Sequence, residues 1–532
     1  MTATDDSAQP EPELTDFPVA DDAARPSARW SRAALLAVVF VCAACGLVYE
    51  LALVSLGSFL IGNTATQASI VLAVMVFAMG IGSLAAKPLQ SRPIVTFAAI
   101  ELALALLGGL SVMALYAAFA YLALYTPALV VVAFVLGVLI GAEIPLLMVL
   151  LQRIRRQDAG SAVADMFAVD YIGALVGGLC FPFLLLPLFG QLEGALVVGL
   201  VNAAAGSFLV FGVFRHDLSG PARAVLGVAA VSVIAALIAG MVFADRFEVT
   251  ARQAMFRDPI VAAERTPYQD IVITERTTPL GPDTRLYLNG DLQFSSIDEY
   301  RYHESLVHPA MAGTHQRVLV LGGGDGLALR EVLRYPDASA TLVELDPEMI
   351  RLGRQDERLA RLNEGSLDDP RSTVITADAF SWLRENSGVF DVIIVDMPDP
   401  DESSTAKLYS TEFYSLVGAH LADGGRAVIQ AGSPYFAPKS FWCIGATAAS
   451  AGLRTLPYHV DVPSFGDWGY FLAGDTEPQL ALDLPAPLRF LDQAELTAAS
   501  VFPADRPPLD MPPSTLMDPR ILRYAQSEWA VY

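Results

Sequence analysis

Four acidic side chains in the second half of the sequence follow four successive apolar runs. The runs resemble the buried strands of a parallel sheet, and the acids are Asp325, Glu344, Asp378 and Asp396. Ligands of open α/β sheets bind outside the carboxyl ends of the strands, so these carboxylates are expected at one edge. Almost no Lys or Arg lies among them. The ligands should therefore bring the positive charge, as a sulfonium nucleoside together with an amine would.

A glycine-rich turn precedes the first of these acids. Val318–Gly326 runs from an apolar strand into Gly-Gly-Gly-Asp-Gly, and a helical segment follows over residues 327–334. By itself the turn is a weak indication of a nucleotide site, and an ordinary strand-to-helix turn is the alternative. Asp325 stands where a pyrophosphate would have to lie, and a carboxylate repels phosphate. A phosphate-free, cationic nucleoside therefore suits this turn better than a dinucleotide.

Each acid also has a purely structural interpretation. Asp378 could cap the next helix, Asp346 could do the same with Pro347 behind it, and Asp399 could form a turn. Structural caps do not need one acid after every strand. The four acids together therefore favour a ligand site over four separate caps.

An α/β domain is expected to position these side chains. The predicted strands, with helices between them, lie at 317–321, 340–345, 372–377, 390–396 and 425–431. This alternation is typical of a doubly wound, Rossmann-like parallel sheet of the methyltransferase type. Ahead of it, residues 257–298 alternate apolar and polar residues around turns such as Asn289-Gly290, which predicts a small antiparallel β unit.

The first half of the chain has a different character. Seven apolar stretches are each long enough to cross a bilayer of about 30 Å as a helix. They lie near 33–60, 66–86, 94–117, 124–151, 166–189, 192–214 and 222–244. We expect a multi-pass α-helical membrane domain, preceded by a disordered acidic tail over residues 1–30.

Charged residues in this half are few. The intramembrane acids are Glu50, Glu143 and Asp170 at depth, with Glu101 and Glu193 near predicted helix ends. The deep acids could line a path for a cationic substrate or pair within the bundle, and we favour pairing. Cys42 and Cys45 are expected to pack between helices rather than to bind a metal. The formal net charge of -23 excludes nucleic acid as a partner.

Residues 265–475 resemble the polyamine aminopropyltransferases, the spermidine synthase family. The matching segments, in order, are Pro267–Gln269, Leu288–Gln293, Asp298–Glu304, Gly322–Glu331, Val343–Asp346, Asp378 with the helix start, Phe390–Pro400 and Leu408–Tyr414. The apolar half, with Tyr49-Glu50 and Gly80-x-Gly82-Ser83, resembles the membrane-bound branch of that family. The resemblance implies transfer of an aminopropyl group from decarboxylated S-adenosylmethionine to putrescine or a related amine.

The resemblance also implies a role for each matching residue. The methylthioadenosine part of the donor would be held by Gln269, Glu344, Asp378, Ala379, Gly322, Gly323 and Gly324. The amines would be held by His303, Asp325 and Asp399, and Asp396 would accept the proton of the attacking amine. No metal and no separate cofactor are implied, because decarboxylated S-adenosylmethionine is a co-substrate.

Two positions depart from the family pattern. Soluble members have a tyrosine near the amine where this chain has Phe465, and the following Asp467 is new. The Gly-Pro that follows Asp-Pro in soluble members is here Asp401-Glu402. The acceptor amine could therefore differ from putrescine.

The domain boundaries follow from these assignments. We expect a tail over 1–30, a membrane domain over 31–245, a linker and β unit over 246–300, a catalytic domain over 301–475 and a Pro-rich extension over 476–532. The expected partners are a polyamine, a sulfonium nucleoside and the lipid bilayer, with a homodimer as the candidate oligomeric state.

The loops after the second, fourth and sixth stretches carry Lys and Arg, whereas those after the first, third and fifth carry none. This bias predicts a cell-membrane protein with a cytoplasmic N-terminus. Seven crossings would then put the catalytic domain outside. We nevertheless expect it in the cytoplasm, because both substrates would be made there. One stretch, for which the long first and fourth are the candidates, would then be wrongly divided.

Two other functions stay open on sequence grounds. A methyltransferase that uses S-adenosylmethionine would share the sheet and the ribose and adenine acids, although Asp325 and Asp399 would then meet the methionine carboxylate. A transporter or sensor whose second half only binds polyamines would be consistent with Glu50, Glu143 and Asp170.

Overall fold

The computed structural model of the protein describes residues 26–61, 64–122, 124–154, 159–279 and 281–530. The chain separates into two compact units, of which the first ends at Ala251 and the second begins at Arg252. Residues 1–25 of the predicted tail lie outside the described residues. The rest of that tail is helical, because the first helix already begins at Pro26 and a proline is tolerated in the first turn.

The first unit is built of long apolar helices. They are α1 (Pro26–Ile61), α2 (Thr64–Ala85), α3 (Pro93–Ala117), α4 (Tyr125–Ile154), α5 (Ala159–Cys180), α6 (Leu186–Phe208) and α7 (Gly220–Met255). Short π-helical turns extend α3, α5 and α6. Within the described residues, six helical stretches are long and apolar enough to cross a membrane, and the longest runs over Val163–Val213.

Helix α5 runs in the same direction as α1. Asp165 near its start forms an ion pair with Arg32. One turn before its end, Gly177 lies so close to α1 that a Cβ atom there would be 2.4 Å from the carbonyl oxygen of Ala44. Small residues permit this close approach of two helices.

Helix α6 runs in the opposite direction. Gln191 at its start donates a hydrogen bond of 2.9 Å to Ser55, and further along Val198 accepts one from the Cys45 thiol. The reversal occurs at Gly190, whose φ of 68° and ψ of -170° favour glycine. The 51-residue stretch Val163–Val213 therefore consists of two antiparallel segments.

The other helices follow the same alternation. Helices α3 and α7 run parallel to α1, whereas α2 and α4 run antiparallel to it. Helix α3 contacts α1 through Cys42 with Glu101 and Tyr49 with Gly108, and α4 contacts α1 through Gly57 with Tyr125 and Gly46 with Ile140. Helix α2 contacts α1 through Gln67 with Gly57 and α4 through Gly82 with Val138. Helix α7 contacts α3 through Leu237 with Gly109 and Phe247 with Tyr116. The first unit thus contains seven segments of alternating direction.

The second unit begins with a four-stranded antiparallel sheet. Its strands lie side by side in the order in which they occur along the chain. They are β1 (Ile260–Arg265), β2 (Asp270–Thr278), β3 (Gly281–Leu288) and β4 (Asp291–Ser295). Asn289 and Gly290 join the last two strands, and both have positive φ, as a tight hairpin turn requires. The small β unit is therefore where the turn signals place it.

A seven-stranded sheet follows, in the order β10-β11-β9-β8-β5-β6-β7. Its strands are β5 (Arg317–Gly322), β6 (Ser339–Glu344), β7 (Ser372–Thr376), β8 (Phe390–Asp396), β9 (Leu421–Gln430), β10 (Arg454–Val462) and β11 (Gly466–Gly474). The helices of this unit are α8 (Glu299–Met311), α9 (Leu327–Val332), α10 (Pro347–Gln355), α11 (Glu357–Leu362), α12 (Ala379–Glu385), α13 (Ser403–Ala406), α14 (Thr411–Ala419), α15 (Pro438–Ser450), α16 (Gln493–Ala499) and α17 (Arg520–Trp529).

The five predicted strands form a parallel sheet, and two further strands that were not predicted extend it at one end. Strands β5 to β9 are parallel, but β10 and β11 form an antiparallel hairpin that extends the sheet. Pro457 obscured the first of these strands in the sequence. It is tolerated because β10 lies at the edge of the sheet, where one side of the backbone needs no partner.

The Pro-rich extension is anchored to helix α8 by one carboxylate. Glu304 is fully buried and accepts hydrogen bonds of 2.9 Å from the backbone N–H groups of Arg489, Phe490 and Leu491. Hydrogen bonds to a charged acceptor are among the stronger ones in proteins. The extension is therefore part of the packed unit and not a free tail.

We expect Glu304→Ala to open this anchor. Loss of a buried, charged acceptor shared by three backbone N–H groups should cost about 3 kcal/mol of local stability. Deuterium exchange of the full-length protein should then accelerate about a hundredfold at residues 489–491. Glu385→Ala, at an exposed position, is the control and should leave this exchange unchanged. Unchanged exchange in Glu304→Ala would contradict the anchor.

Candidate active site

The strand ends bring the predicted acids to one edge of the parallel sheet. Gly322 at the end of β5 lies opposite Asp396 at the end of β8, and β6 ends at Glu344 on the other side of β5. Gly322 has a φ of 83°, and a Cβ atom there would lie 2.0 Å from the carbonyl oxygen of Asp396. Only glycine fits this position, and its lack of a side chain lets the glycine-rich turn lie directly against the backbone of Asp396.

Glu344 is held against the glycine-rich turn. Its carboxylate accepts backbone hydrogen bonds from Gly324 at 3.1 Å and from Asp346 at 2.9 Å. Burial raises the pKa of Glu344 to about 7, although these hydrogen bonds favour the charged form. A Cβ atom on Gly324 would lie 2.7 Å from the Glu344 side chain, so the close approach of the turn to this side chain requires glycine at position 324.

Gln269 reaches the same corner from the loop between β1 and β2. Its side-chain amide donates a hydrogen bond of 3.0 Å to Asp346. Asp346 also accepts from the Thr266 hydroxyl and caps α10 through the backbone N–H of Glu348. The structural interpretation of Asp346 as a helix cap is thus correct. Its second oxygen orients Gln269 toward the site.

Asp378 has two partners in the structure. It caps α12 by accepting a hydrogen bond of 2.9 Å from the Ser381 backbone, and Ala379 is the first residue of that helix. The Lys407 ammonium lies 2.7 Å from its other oxygen. Although partial burial opposes the charged form, these contacts lower the pKa of Asp378. The expectation that almost no Lys or Arg accompanies the acids is therefore wrong at this position, because Lys407 comes from a distant part of the chain.

Asp396 is held by a phenol. The hydroxyl group of Tyr302 donates a hydrogen bond of 2.6 Å to its Oδ1 atom. Burial raises the pKa of Asp396 to about 6; Asp325 adds to the rise, whereas His303 and Tyr302 counteract it. A carboxylate with a pKa slightly below neutral can accept a proton at physiological pH.

His303 is fixed from behind by a buried ion pair. Its Nδ1 atom contacts the backbone oxygen of Glu299 at 2.8 Å and the carboxylate at 2.9 Å. Arg330 donates two hydrogen bonds of 3.0 Å to that carboxylate. Burial lowers the pKa of His303, but Glu299, Asp325 and Asp396 raise it more. This shift favours the imidazolium form, which cannot accept a hydrogen bond from an ammonium group.

Asp325 has a local partner as well. Its Oδ1 atom accepts a hydrogen bond of 2.8 Å from the backbone N–H of Leu327 at the start of α9. Burial raises the pKa of Asp325, and the charge of His303 counteracts this rise. One oxygen of the carboxylate is thus fixed at the turn.

The far end of the site carries several acids. Asp399 accepts a hydrogen bond of 2.9 Å from Gln430, whose amide also bonds to the backbone of Met397. Burial and Asp401 raise the pKa of Asp399 to about 6. Burial, Asp291 and Glu402 raise the pKa of Asp401 to about 7. Asp401 and Glu402, which depart from the family pattern, therefore enlarge the acidic end.

The two other departures have structural explanations. Phe465 packs edge-on against Tyr302, with ring centroids 6.0 Å apart. Tyr302 in turn supplies a phenol beside Asp396. Asp467 lies in β11 and contacts His459 of β10 at 2.6 Å, so it stabilises the hairpin.

Sequence reasoning missed Tyr302, Lys407, Gln430 and the Glu299–Arg330 pair. A signal existed for one of them, because Glu299 and His303 are four residues apart on a helix and must share a face. Lys407 and Gln430 gave no such signal, since their partners are 29 and 31 residues away along the chain.

Comparison with known proteins agrees with this geometry. Residues 299–481 match the spermine/spermidine synthase domain family. A polyamine aminopropyltransferase 1 of Streptomyces coelicolor is 61% identical over 95% of this chain and 96% of its own. A polyamine aminopropyltransferase of Mycobacterium tuberculosis is 48% identical over 97% of this chain and all of its own, 100%.

Two solved structures are similar to part of the chain. A spermidine synthase in complex with the transition-state analogue AdoDATO is 27% identical, with a TM-score of 0.42, over 46% of this chain and 85% of that chain. The spermidine synthase of Thermotoga maritima is 26% identical, with a TM-score of 0.41. The near-full-length matches to the curated relatives decide the assignment, and the chain belongs to the polyamine aminopropyltransferase family.

Proposed function

We propose that the protein transfers the aminopropyl group of decarboxylated S-adenosylmethionine to putrescine or a related diamine. The products are spermidine or an analogue and S-methyl-5′-thioadenosine. The observation that carries this proposal is the buried acidic edge, where Tyr302 holds Asp396, Asp325 acts electrostatically on Asp396, and the buried Asp399 follows three residues later. The relatives named polyamine aminopropyltransferases support it over nearly the whole chain.

The glycine-rich side of the edge suits the donor. Glu344 would accept the ribose hydroxyls, Asp378 with Ala379 would contact the adenine, and Gln269 would close the same corner. Gly322, Gly323 and Gly324 would let the nucleoside lie against the backbone. Lys407 would have to share Asp378 with the adenine amine, since it lies 2.7 Å from one oxygen.

The chemical step needs one base. The acceptor arrives as an ammonium ion and must lose a proton, which Asp396 would accept. The nitrogen lone pair then attacks the aminopropyl carbon beside the sulfonium. A carbon–nitrogen bond forms, the carbon–sulfur bond breaks, and its electron pair returns to sulfur, which leaves as a neutral thioether.

The amines are held by the remaining acids. Asp325 would bind the aminopropyl ammonium of the donor, and Asp399 would bind the far ammonium of the acceptor. Donor and acceptor are both cations, so these carboxylates also reduce their mutual repulsion. His303 was expected to bind an amine directly. Its contact with Glu299 fits better with a role in orienting Asp325 and Asp396.

The first unit is proposed to span the cell membrane as seven segments. Many of its large apolar side chains face outward, including Val76, Phe77, Phe183, Val225 and Val242, which are 65–78% exposed. A bilayer would cover them. The loop charges favour a cytoplasmic N-terminus, and the substrates favour a cytoplasmic catalytic unit. With seven crossings only one of these two expectations can hold.

We predict that Asp396→Asn removes turnover but keeps the donor bound. Loss of the proton acceptor should lower kcat by about 10²–10⁴-fold. Release of methylthioadenosine measures turnover, and titration calorimetry with the donor measures binding. Asp423→Asn, an exposed position, serves as the matched control. Unchanged turnover in Asp396→Asn would refute the assignment of the base, and release of S-adenosylhomocysteine from S-adenosylmethionine would refute the reaction.

We also predict a change in the pH profile for Tyr302→Phe. The base must be deprotonated, so kcat/KM should fall as the pH decreases through the Asp396 pKa of about 6. The Tyr302 hydroxyl stabilises the carboxylate, and its removal should raise that pKa by about one unit. The acid limb should therefore move to higher pH. Tyr458→Phe is the control, because its hydroxyl bonds to the backbone of Ser305. An acid limb that stays in place would contradict this role.

The membrane proposal predicts labelling from opposite sides. Ser219 lies between α6 and α7, at the face where α1 begins, and Ser381 is exposed in the catalytic unit. In a background without native cysteines, Ser219→Cys and Ser381→Cys should react with a membrane-impermeant maleimide from different sides of vesicles. Reaction from the same side would exclude seven crossings, and the side of Ser381 decides between the two expectations above.

A further inference from the structure

Three helices of the first unit bring metal-ligand atoms together in its interior. Cys42 of α1, Glu101 of α3 and Glu143 of α4 each offer one such atom, and these atoms all lie within 4.8 Å of one another. We call these three residues the interior cluster. Their side chains are 1–6% exposed, so water does not solvate them.

The carboxyl groups of the interior cluster lack a compensating cation. Cys42, Glu143 and Asn202 all lie beside Glu101, yet neither oxygen of Glu101 makes a well-formed hydrogen bond with them. Among the residues that the structure describes, the groups that act electrostatically on Glu101 and Glu143 include no Lys or Arg. Burying two carboxylates without a cation is costly, and more so inside a bilayer. A bound cation would compensate their charge.

A fourth polar side chain faces the cluster from α6. Asn202 is 0% exposed and lies beside Glu101, but neither its amide nitrogen nor its amide oxygen makes a well-formed hydrogen bond. Gly206, one helical turn later on the same face, lies so close to Glu101 that its Cβ atom would be 2.9 Å from the Cβ of Glu101. The amide oxygen of Asn202 is thus available to a ligand held between the helices.

We propose that the interior cluster binds one divalent transition-metal ion, with zinc as the best-fitting ion. The Cys42 thiolate and one carboxylate balance a charge of +2, while the second carboxyl group keeps its proton and coordinates through its carbonyl oxygen. A thiolate, carboxylate oxygens and an amide oxygen form a mixed set that suits a borderline-soft ion better than Mg²⁺ or Ca²⁺. An ammonium ion could satisfy the carboxylates, but it would leave the thiol without a role.

The spacing of the cluster permits this site. Around zinc the ligand bonds are about 2.0–2.3 Å, which places ligand atoms about 3–4 Å apart. The observed spread within 4.8 Å can close through side-chain rotations of Glu101 and Glu143. The bound ion would then link α1, α3 and α4 to α6, and binding would release protons from the ligands.

The test uses the full-length protein, purified without metal in detergent or nanodiscs. Zinc should bind at one equivalent, and Co²⁺ used as a probe should give a thiolate-to-cobalt absorption band in the near ultraviolet. Cys42→Ser should abolish this band. Glu101→Gln and Glu143→Gln should each weaken Co²⁺ binding by at least about tenfold. Because the catalytic residues lie in the other unit, a single symmetric peak in size-exclusion chromatography, and not turnover, reports that each variant is folded.

Matched controls separate the cluster from its surroundings. Cys45→Ser removes the neighbouring thiol, which bonds to the Val198 carbonyl, and should leave the cobalt band intact. X-ray absorption of the zinc-loaded wild type should show one sulfur among oxygen and nitrogen ligands, whatever the stability of the variants. No metal uptake, a site without sulfur, or binding of spermidine in place of Co²⁺ would overturn the proposal.

Discussion

The arrangement of the catalytic unit depends on a buried charge pair behind the site. Both terminal nitrogens of Arg330 donate hydrogen bonds to the Glu299 carboxylate, and its Nε atom donates one to Glu331. Although burial opposes the charged form, hydrogen bonds from His303 and Arg330 lower the pKa of Glu299 to about 2. A charged group in the interior is stable only while its partner is present. Helices α8 and α9 are therefore fixed relative to each other by this pair, and with them the His303 ring and the glycine-rich turn.

The same network continues away from the site. Glu331 accepts from Arg330 and contacts His308 at 3.0 Å, and His308 contacts the Tyr335 hydroxyl at 2.9 Å. Burial opposes the charged form of Glu331, but these partners lower its pKa. The acids at the edge of the sheet repel one another when no cationic substrate is bound. Positively charged side chains behind this edge reduce that repulsion. Arg330, His303 and Lys407 supply that charge.

Local patterns predicted much of this architecture. The five parallel strands were predictable because each contains a short run of apolar or β-branched residues between helical segments, and the β3–β4 turn because Asn-Gly tolerates positive φ. The β10–β11 hairpin was not, since Pro457 and Pro463 interrupt its pattern and its edge position becomes known only from the sheet order. Contacts that join distant segments, such as Lys407 with Asp378, follow from the packing of helices and not from any short motif.

The interior of the first unit illustrates the same limit. Glu101 lies near the end of a predicted span, and nothing in the sequence connects it with Cys42 or Asn202. The parallel course of α1 and α3 and the antiparallel course of α6 bring these side chains together. The sequence predicts which residues lie in the apolar helices, whereas the directions of the helices determine which of those residues come into contact.

The contact of Glu304 with residues 489–491 also bears on where the catalytic unit can be cut. The match to the family domain ends at residue 481, ahead of the segment that this carboxylate holds. A fragment that ends there would keep every residue proposed to contact a substrate, yet leave a buried carboxylate without these donors on the helix that carries Tyr302 and His303. In this chain, the packed catalytic unit thus extends beyond the residues that match the family domain.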